Sequence, residues 1–230
     1  MSADHHAIAH DPVAEREAEK RFLAHHFDTL DQQASAAKLG MWLFLATEIL
    51  MFSGLFLAYF IIRMLYPEMV LEAHEHLSKI AGGVNTIVLL LSSVTAALAV
   101  RAAQVNDQGA LKLNLWITMG CAATFMVVKA FEYTEKFAHG FLPGKFYSGG
   151  AHGYDIEGYP HIFFGVYFVM TGLHGFHVLI GMGVLGWVLA KAYRGEFGPR
   201  NYMVVENFAL YWHLVDLIWI FLFPLLYLVR

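Results

Sequence analysis

The sequence predicts an all-α membrane protein: a bundle of five transmembrane helices with the N-terminus in the cytoplasm and the C-terminus outside. Three observations carry that expectation. Hydrophobic residues make up 58% of the 230 residues and charged residues 15%, against roughly 45–50% and about 25% in soluble domains. Five stretches match the length of about 20 apolar residues that crosses a bilayer, at residues 39–62, 80–100, 113–131, 162–189 and 208–228. Lys and Arg are also unevenly shared between the two sets of connections. Arg16, Lys20, Arg21, Lys38, Arg101, Lys112, Lys191, Arg194 and Arg200 lie on one side, and Arg63, Lys79, Lys136, Lys145 and Arg230 on the other. The richer side is the cytoplasmic one.

Composition also excludes whole classes. The stretches do not alternate, so they are not barrel strands. The single cysteine, Cys121, excludes a disulfide framework, a zinc cluster and an iron–sulfur site. A net charge of −4 argues against a nucleic-acid partner.

Residues 1–37 read as a polar cytoplasmic tail, and residues 38–230 as the membrane domain. Asp11, Glu15, Arg16, Glu17, Glu19, Lys20 and Arg21 cluster in the tail, which lacks the pattern of a cleavable signal peptide. Phe22, Leu23, Phe27 and Leu30 are spaced for one face of a short interfacial helix.

Ionisable groups at membrane depth are costly and therefore candidate functional groups. Glu48 sits in the first span, about 13 Å deep at 1.5 Å per residue. Its own helical face carries Phe44, Phe52, Leu55 and Tyr59, none of them cationic. Two roles stay open: relay or modulation of a proton path, or one hydrogen bond to a neighbouring helix. In the second span Asn85, Ser92, Ala96 and Ala99 share a face, the pattern of helix packing. Lys129 and Glu132 stand three apart at the outer end of the third span, as a simple ion pair with a snorkelling lysine.

The connection 137–160 is long and holds Gly140, Gly144, Gly149, Gly150, Gly153 and Gly158 with several aromatics. A loop of that length is either functional or structureless. It reads as an outer contact for a neighbouring subunit or soluble partner, or as a passive glycine-rich turn.

His174 and His177 lie on one side of the fourth span, while Gly165, Gly172, Gly175, Gly183 and Gly186 form a stripe on the other. The stripe is expected to let another helix backbone approach closely. The histidines read either as a metal or haem site or as two neutral side chains bonded to other helices. Haem ligation shared with His213 meets a depth mismatch of about 9 Å, which favours the second reading. In the fifth span His213 and Asp216 suit each other as an i, i+3 pair. Glu206, His213, Ile220 and Tyr227 recur every seven residues as an inward-facing polar stripe. His174, His177, Glu206, His213 and Asp216 together are the expected intramembrane polar network.

Several segments taken together resemble subunit III of the haem–copper terminal oxidases. They are WLFLATEILMFSGLFLAYF at 42–60, NTIVLLLSSVTAALA at 85–99, KAFEYTE at 129–135, TGLHGFHVLIG at 171–181 and ENFALYWHLVDLIWIFLFPLLY at 206–227. The resemblance covers residues 38–228, in family order. It is to a five-helix form, since many members have seven helices with the buried glutamate in the third. In those longer relatives lipids sit in a cleft beside the first two helices, a cleft this chain cannot form alone. Lys129 stands where glutamine is common, and the outer loop is longer than usual.

The resemblance implies a non-catalytic subunit of an aerobic respiratory oxidase, with no catalytic residue and no metal of its own. It implies that haems and copper sit in partner subunits I and II, with a small subunit IV, phospholipid and a wider respiratory supercomplex as further partners. It implies that the subunit packs on subunit I, supports proton uptake and protects turnover while oxygen is reduced to water, in a bacterial cytoplasmic membrane. It places the buried carboxyl role on Glu48 and a conformational role on His174, His177, His213 and Asp216. The residues agree independently, because three intramembrane histidines and one cysteine make no copper centre. The rival readings are a quinol-oxidase or nitric-oxide-reductase accessory subunit, a haem-binding electron carrier, and a channel or transporter. A Soret band would mark the carrier. Five spans lack the inverted repeat expected of a transporter.

Overall fold

The computed structural model describes residues 23–148, 156 and 158–228. The tail residues Asp11, Glu15, Arg16, Glu17, Glu19, Lys20, Arg21 and Phe22 lie outside the described residues, as do Gly149, Gly150, Gly153 and Arg230. The helices are α1 (Leu30–Leu65), α2 (Pro67–Glu75), α3 (Lys79–Gln104), α4 (Gln108–Ala138), α5 (Pro160–Tyr193) and α6 (Met203–Tyr227), with a 3-10 turn at Gly144–Phe146. Five of them, α1 and α3 to α6, are long and apolar enough to cross a membrane. Among the described residues there is no strand, and isolated bridges join Phe141 to Tyr147 and Gly198 to Asn201.

α1 starts at Leu30, inside the segment read as polar tail. Its start is held reciprocally. Thr29 Oγ1 accepts from the Gln32 amide at 3.2 Å, and Gln32 Oε1 accepts from the Asp28 amide at 3.0 Å, a variant of the capping box. This displaces the expected interfacial helix: Leu23 and Phe27 precede α1, in a turn closed by Phe27 N to Ala24 O at 3.0 Å. The described residues divide into two units at Leu43 and Phe44, and the packing below belongs to the second.

α2 lies in a connection between two spans, where apolar length predicts no helix. Pro67 occupies its first turn, where a missing N–H does no harm. Met69, Val70, Ala73 and His74 bury one face against α5 and α6. Between α3 and α4 the chain reverses in three residues. Asn106 takes the left-handed conformation at φ 60°, which asparagine tolerates, and the Asp107 side chain accepts from Ala110 N at 2.9 Å to start α4.

The core lies among α3, α4, α5 and α6. α3 meets α4 through small side chains, with Ala96, Ala99, Ala102 and Ala103 buried and a hydroxyl pair between Thr95 and Thr118 at 2.8 Å. Small residues bring backbones close where lipid supplies no hydrophobic drive. α6 fills the centre with Trp212 and Trp219, both fully buried. α1 contributes a narrow seam, Leu45, Phe52 and Tyr59 at seven-residue intervals. The Tyr59 hydroxyl donates to the Leu225 carbonyl, near the C-terminal end of α6, where the last turn leaves carbonyls without helical partners.

The glycine stripe of α5 does not serve the expected purpose within this chain. A Cβ on Gly175, Gly183 or Gly186 would meet open space, and on Gly165 or Gly172 only one ordinary contact. Close approach occurs at Gly181, where a Cβ would stand 2.6 Å from the Trp212 ring. Polar groups in hydrocarbon must find partners, so α5 turns its histidine side inward and its glycine side outward.

The described part of the long loop is docked. Phe141 is fully buried and stacks on Phe164 of α5 with ring centroids 4.6 Å apart. Ser148 N closes the turn on the Gly140 carbonyl at 2.8 Å.

Candidate functional site

The first polar centre joins two spans. Glu48 Oε2 of α1 lies 2.9 Å from His177 Nε2 of α5. The carboxyl that has only Phe44, Phe52, Leu55 and Tyr59 around it on α1 finds an imidazole on α5, a pairing that helix-by-helix reading cannot see. His177 Nδ1 lies 2.7 Å from the Leu173 carbonyl one turn back. With Nδ1–H donating there, a single proton lies between Nε2 and the carboxyl. Either the acid donates to the ring, or the imidazolium donates to the carboxylate. Phe52 closes over the ring at 5.4 Å, and the Tyr211 hydroxyl ties the His177 carbonyl to α6 at 2.9 Å.

The second centre lies deeper among α4, α5 and α6. Lys129 Nζ donates to Glu132 Oε2 at 2.9 Å, to the Tyr227 hydroxyl at 2.9 Å and to the Tyr167 hydroxyl at 3.3 Å. Those three bonds use every ammonium hydrogen. Tyr167 and Tyr227 both donate to Glu132 Oε1, at 3.0 and 2.6 Å. The rings of Tyr133, Tyr167, Trp219 and Tyr227 stand 5.2–5.6 Å from the ammonium, within cation–π range. Lys129 is 6% exposed and Glu132 4%. The lysine therefore does not snorkel outward; its aromatic and carboxylate partners draw it in. Tyr167 and Tyr133 were not singled out from sequence, because a tyrosine in an apolar run carries no period of its own.

The remaining predicted residues take separate partners. His213 Nδ1 meets Ser93 Oγ at 2.6 Å, and Asp216 Oδ2 accepts from Ser92 Oγ at 3.4 Å. The expected His213–Asp216 pair gives way to serines on α3, since both side chains face that helix. Trp212 Nε1 donates to the same Ser92 hydroxyl at 2.9 Å. The heptad stripe on α6 is not uniformly inward: Tyr227 is fully buried, whereas Ile220 is 39% exposed. A strict seven-residue repeat drifts about 20° per heptad on a straight α-helix. Glu206 is half-buried in the first turn of α6. His174 is fully buried between Phe125 and Trp219, at 5.4 and 5.2 Å.

In the last turn of α4, the Lys136 ammonium bonds the His76 carbonyl, pinning that helix end to the segment after α2. Burial holds the His76 imidazole below its usual range, with Lys136 adding to the effect and Glu75 opposing it. Among the described residues no three His, Cys, Asp or Glu side chains stand close enough to share a metal ion.

Comparison with known proteins supplies the family. The family model described as cytochrome c oxidase subunit III matches residues 14–229. The chain is 31% identical to cytochrome c oxidase subunit 3 of Thermostichus vulcanus, over 83% of this chain and 86% of that protein. It is 31% identical to the Synechocystis subunit 3, over 82% and 74%. It is 30% identical to that of Corynebacterium diphtheriae, over 84% and 87%. With five membrane-spanning helices and a family match along nearly its whole length, this integral membrane protein belongs to the cytochrome c oxidase subunit III family.

Proposed function

We propose that the chain is the non-catalytic subunit III of an aerobic respiratory haem–copper oxidase, packing on subunit I and sustaining proton uptake and turnover lifetime while oxygen is reduced to water. Subunits I and II are its partners and carry the haems and copper. A small subunit IV, phospholipid and a wider supercomplex complete the assembly. The membrane is the bacterial cytoplasmic membrane, with the N-terminus inside; the Lys and Arg asymmetry supports that orientation.

The observation that carries this reading is the Glu48–His177 contact at 2.9 Å. The pair shares one proton and is neutral overall in either arrangement. The shared proton can therefore move between carboxyl and imidazole without changing the net charge. A proton taken up on one side must be matched by one released on the other, because an isolated ion is costly in hydrocarbon. A group of that kind beside subunit I is suited to modulating proton delivery without performing redox chemistry.

The test uses the assembled oxidase carrying Glu48→Gln or Glu48→Ala. Slower proton uptake, or fewer turnovers before inactivation, supports the role. Unchanged uptake and lifetime in both variants make Glu48 structural and overturn it.

A further inference from the structure

The interior of the helix core holds a layered set of buried polar groups, and the middle layer is incomplete. The lower layer is Asp216, Ser92 and Trp212: Trp212 Nε1 donates to Ser92 Oγ at 2.9 Å, and the single Ser92 hydrogen is divided between the Leu89 carbonyl at 2.7 Å and Asp216 Oδ2 at 3.4 Å. The upper layer is Lys129, Glu132, Tyr167 and Tyr227, joined by bonds of 2.6–3.3 Å. Between them lie Asn85 and His174, each fully buried. Neither terminal atom of Asn85 and neither ring nitrogen of His174 has a hydrogen-bonding protein group in reach, and Asp216 Oδ1 has none either.

The helix geometry puts these atoms in one column. Asn85 is two turns from Ser92 on the buried face of α3, and His174 is two turns from Tyr167 on the buried face of α5. Extending the antiparallel Thr95–Thr118 register back along α3 brings Asn85 level with Val128 and Lys129. His174 packs on Trp219, and the Lys129 ammonium lies 5.2 Å from that same indole. Trp219 itself sits on α6 between Asp216 and Tyr227. From Asp216 to Tyr227 the column runs about 16 Å at 1.5 Å per residue. With His213 and its Ser93 partner added, it reaches about 21 Å, most of the roughly 30 Å hydrocarbon thickness.

Neutral imidazole has one donor and one acceptor whichever tautomer is present, and a carboxamide has both. Buried groups of this kind are almost always partnered, by protein or by ordered water. Two helical turns, about 10.5 Å, separate Asn85 from Ser92 and His174 from Tyr167. Hydrogen bonds of about 2.8 Å cross such a gap through a short file of about two or three water molecules. A lipid tail offers no such bonds, Phe125 has no polar atom, and the Trp219 N–H is taken by Thr86 Oγ1 at 3.1 Å, so both rings form walls and not partners.

We propose that Asn85 and His174 bind internal water, and that this water completes one hydrogen-bonded column from His213 and Asp216 to the Lys129–Glu132–Tyr167–Tyr227 cluster. Such a column conveys a proton when each link that accepts one on one side releases one on the other, so that no link keeps a net charge. The site is separate from Glu48 and His177, so turnover assays on Glu48 variants leave it untouched.

The experiment is a cryo-EM map of the assembled oxidase at a resolution that shows ordered water, for the native complex and for Asn85→Leu and His174→Phe. Solvent density within hydrogen-bonding distance of both side chains is the expected native result. Each variant is expected to lose the density beside the replaced residue. Infrared difference spectra should show a water O–H band that shifts in H2(18)O and disappears in Asn85→Leu. A dry native site, direct protein bonds to both side chains, or density against only one of them overturns the column. If either variant fails to assemble, the native map alone decides.

Discussion

Lys129 Nζ stands 2.9 Å from Glu132 Oε2, with both side chains buried among α4, α5 and α6. Both charges are shielded from bulk solvent. The pair survives because two tyrosine hydroxyls complete the carboxylate and every ammonium hydrogen is used. Removing one partner of a buried ion pair leaves the other uncompensated, at about 3–5 kcal/mol.

Lys129→Met is therefore expected to destabilise the chain by about 3–5 kcal/mol. Lys129→Gln retains a donor but not the charge and should cost less. Lys129→Gln/Glu132→Gln should recover most of the loss, because no lone charge remains. Thermal unfolding of the purified complex checks the order of the three. A double variant weaker than either single one would contradict it.

The Glu48–His177 contact should show energetic coupling. α1 adds few buried side chains to the core, so this bond carries a sizeable share of its attachment. A double-mutant cycle with Glu48→Ala and His177→Ala is expected to give a coupling of about 0.5–3 kcal/mol. The readout is resistance of α1 to limited proteolysis and denaturant. Additive effects would mean the two side chains do not act as a pair.

Glycine substitutions along α5 should divide by face and not by motif. A Cβ at Gly181 meets the Trp212 ring, and that ring is held by its bond to Ser92. Gly181→Ala should cost about 1–3 kcal/mol, as overpacking does. Gly175→Ala, Gly183→Ala and Gly186→Ala face open space and should leave the folding of this chain unchanged. Melting curves of the four variants test the division.

His76 should make the segment between α1 and α3 acid-sensitive. Its imidazole is held below its usual range, by burial first. The unfolded segment therefore binds a proton that the folded one excludes. The associated stability is complete above the ordinary histidine value of about 6.5. It is lost as pH falls through that value toward the folded one. Amide exchange in residues 66–78, corrected for intrinsic rate, should accelerate between about pH 7.5 and about pH 5.5. His76→Gln should flatten the difference. Equal protection at both values in the native protein would refute the assignment.

Much of this protein was legible along the chain. Apolar length and scarce charge specify five spans, since a bilayer accepts few other structures. The rare ionisable residues name candidate positions, since each is costly at depth. α2 was missed despite Pro67 in its first turn and apolar residues at 69, 70 and 73, because a short amphipathic turn between spans reads as loop.

What the sequence determined by itself is the fold class, the five membrane helices, and the family through motifs around Glu48, Glu132, His174 and Asp216. Pairing was decided by tertiary structure alone. Glu48 meets His177, His213 meets Ser93, and Lys129 turns into an aromatic cage. The inward face of α5 proved to be the histidine side and not the glycine stripe. The physical reason is that periodicity within one helix reveals which residues share a face. Which face turns inward depends on the hydrogen-bond partners that other helices bring to the same depth, and no single helix encodes those.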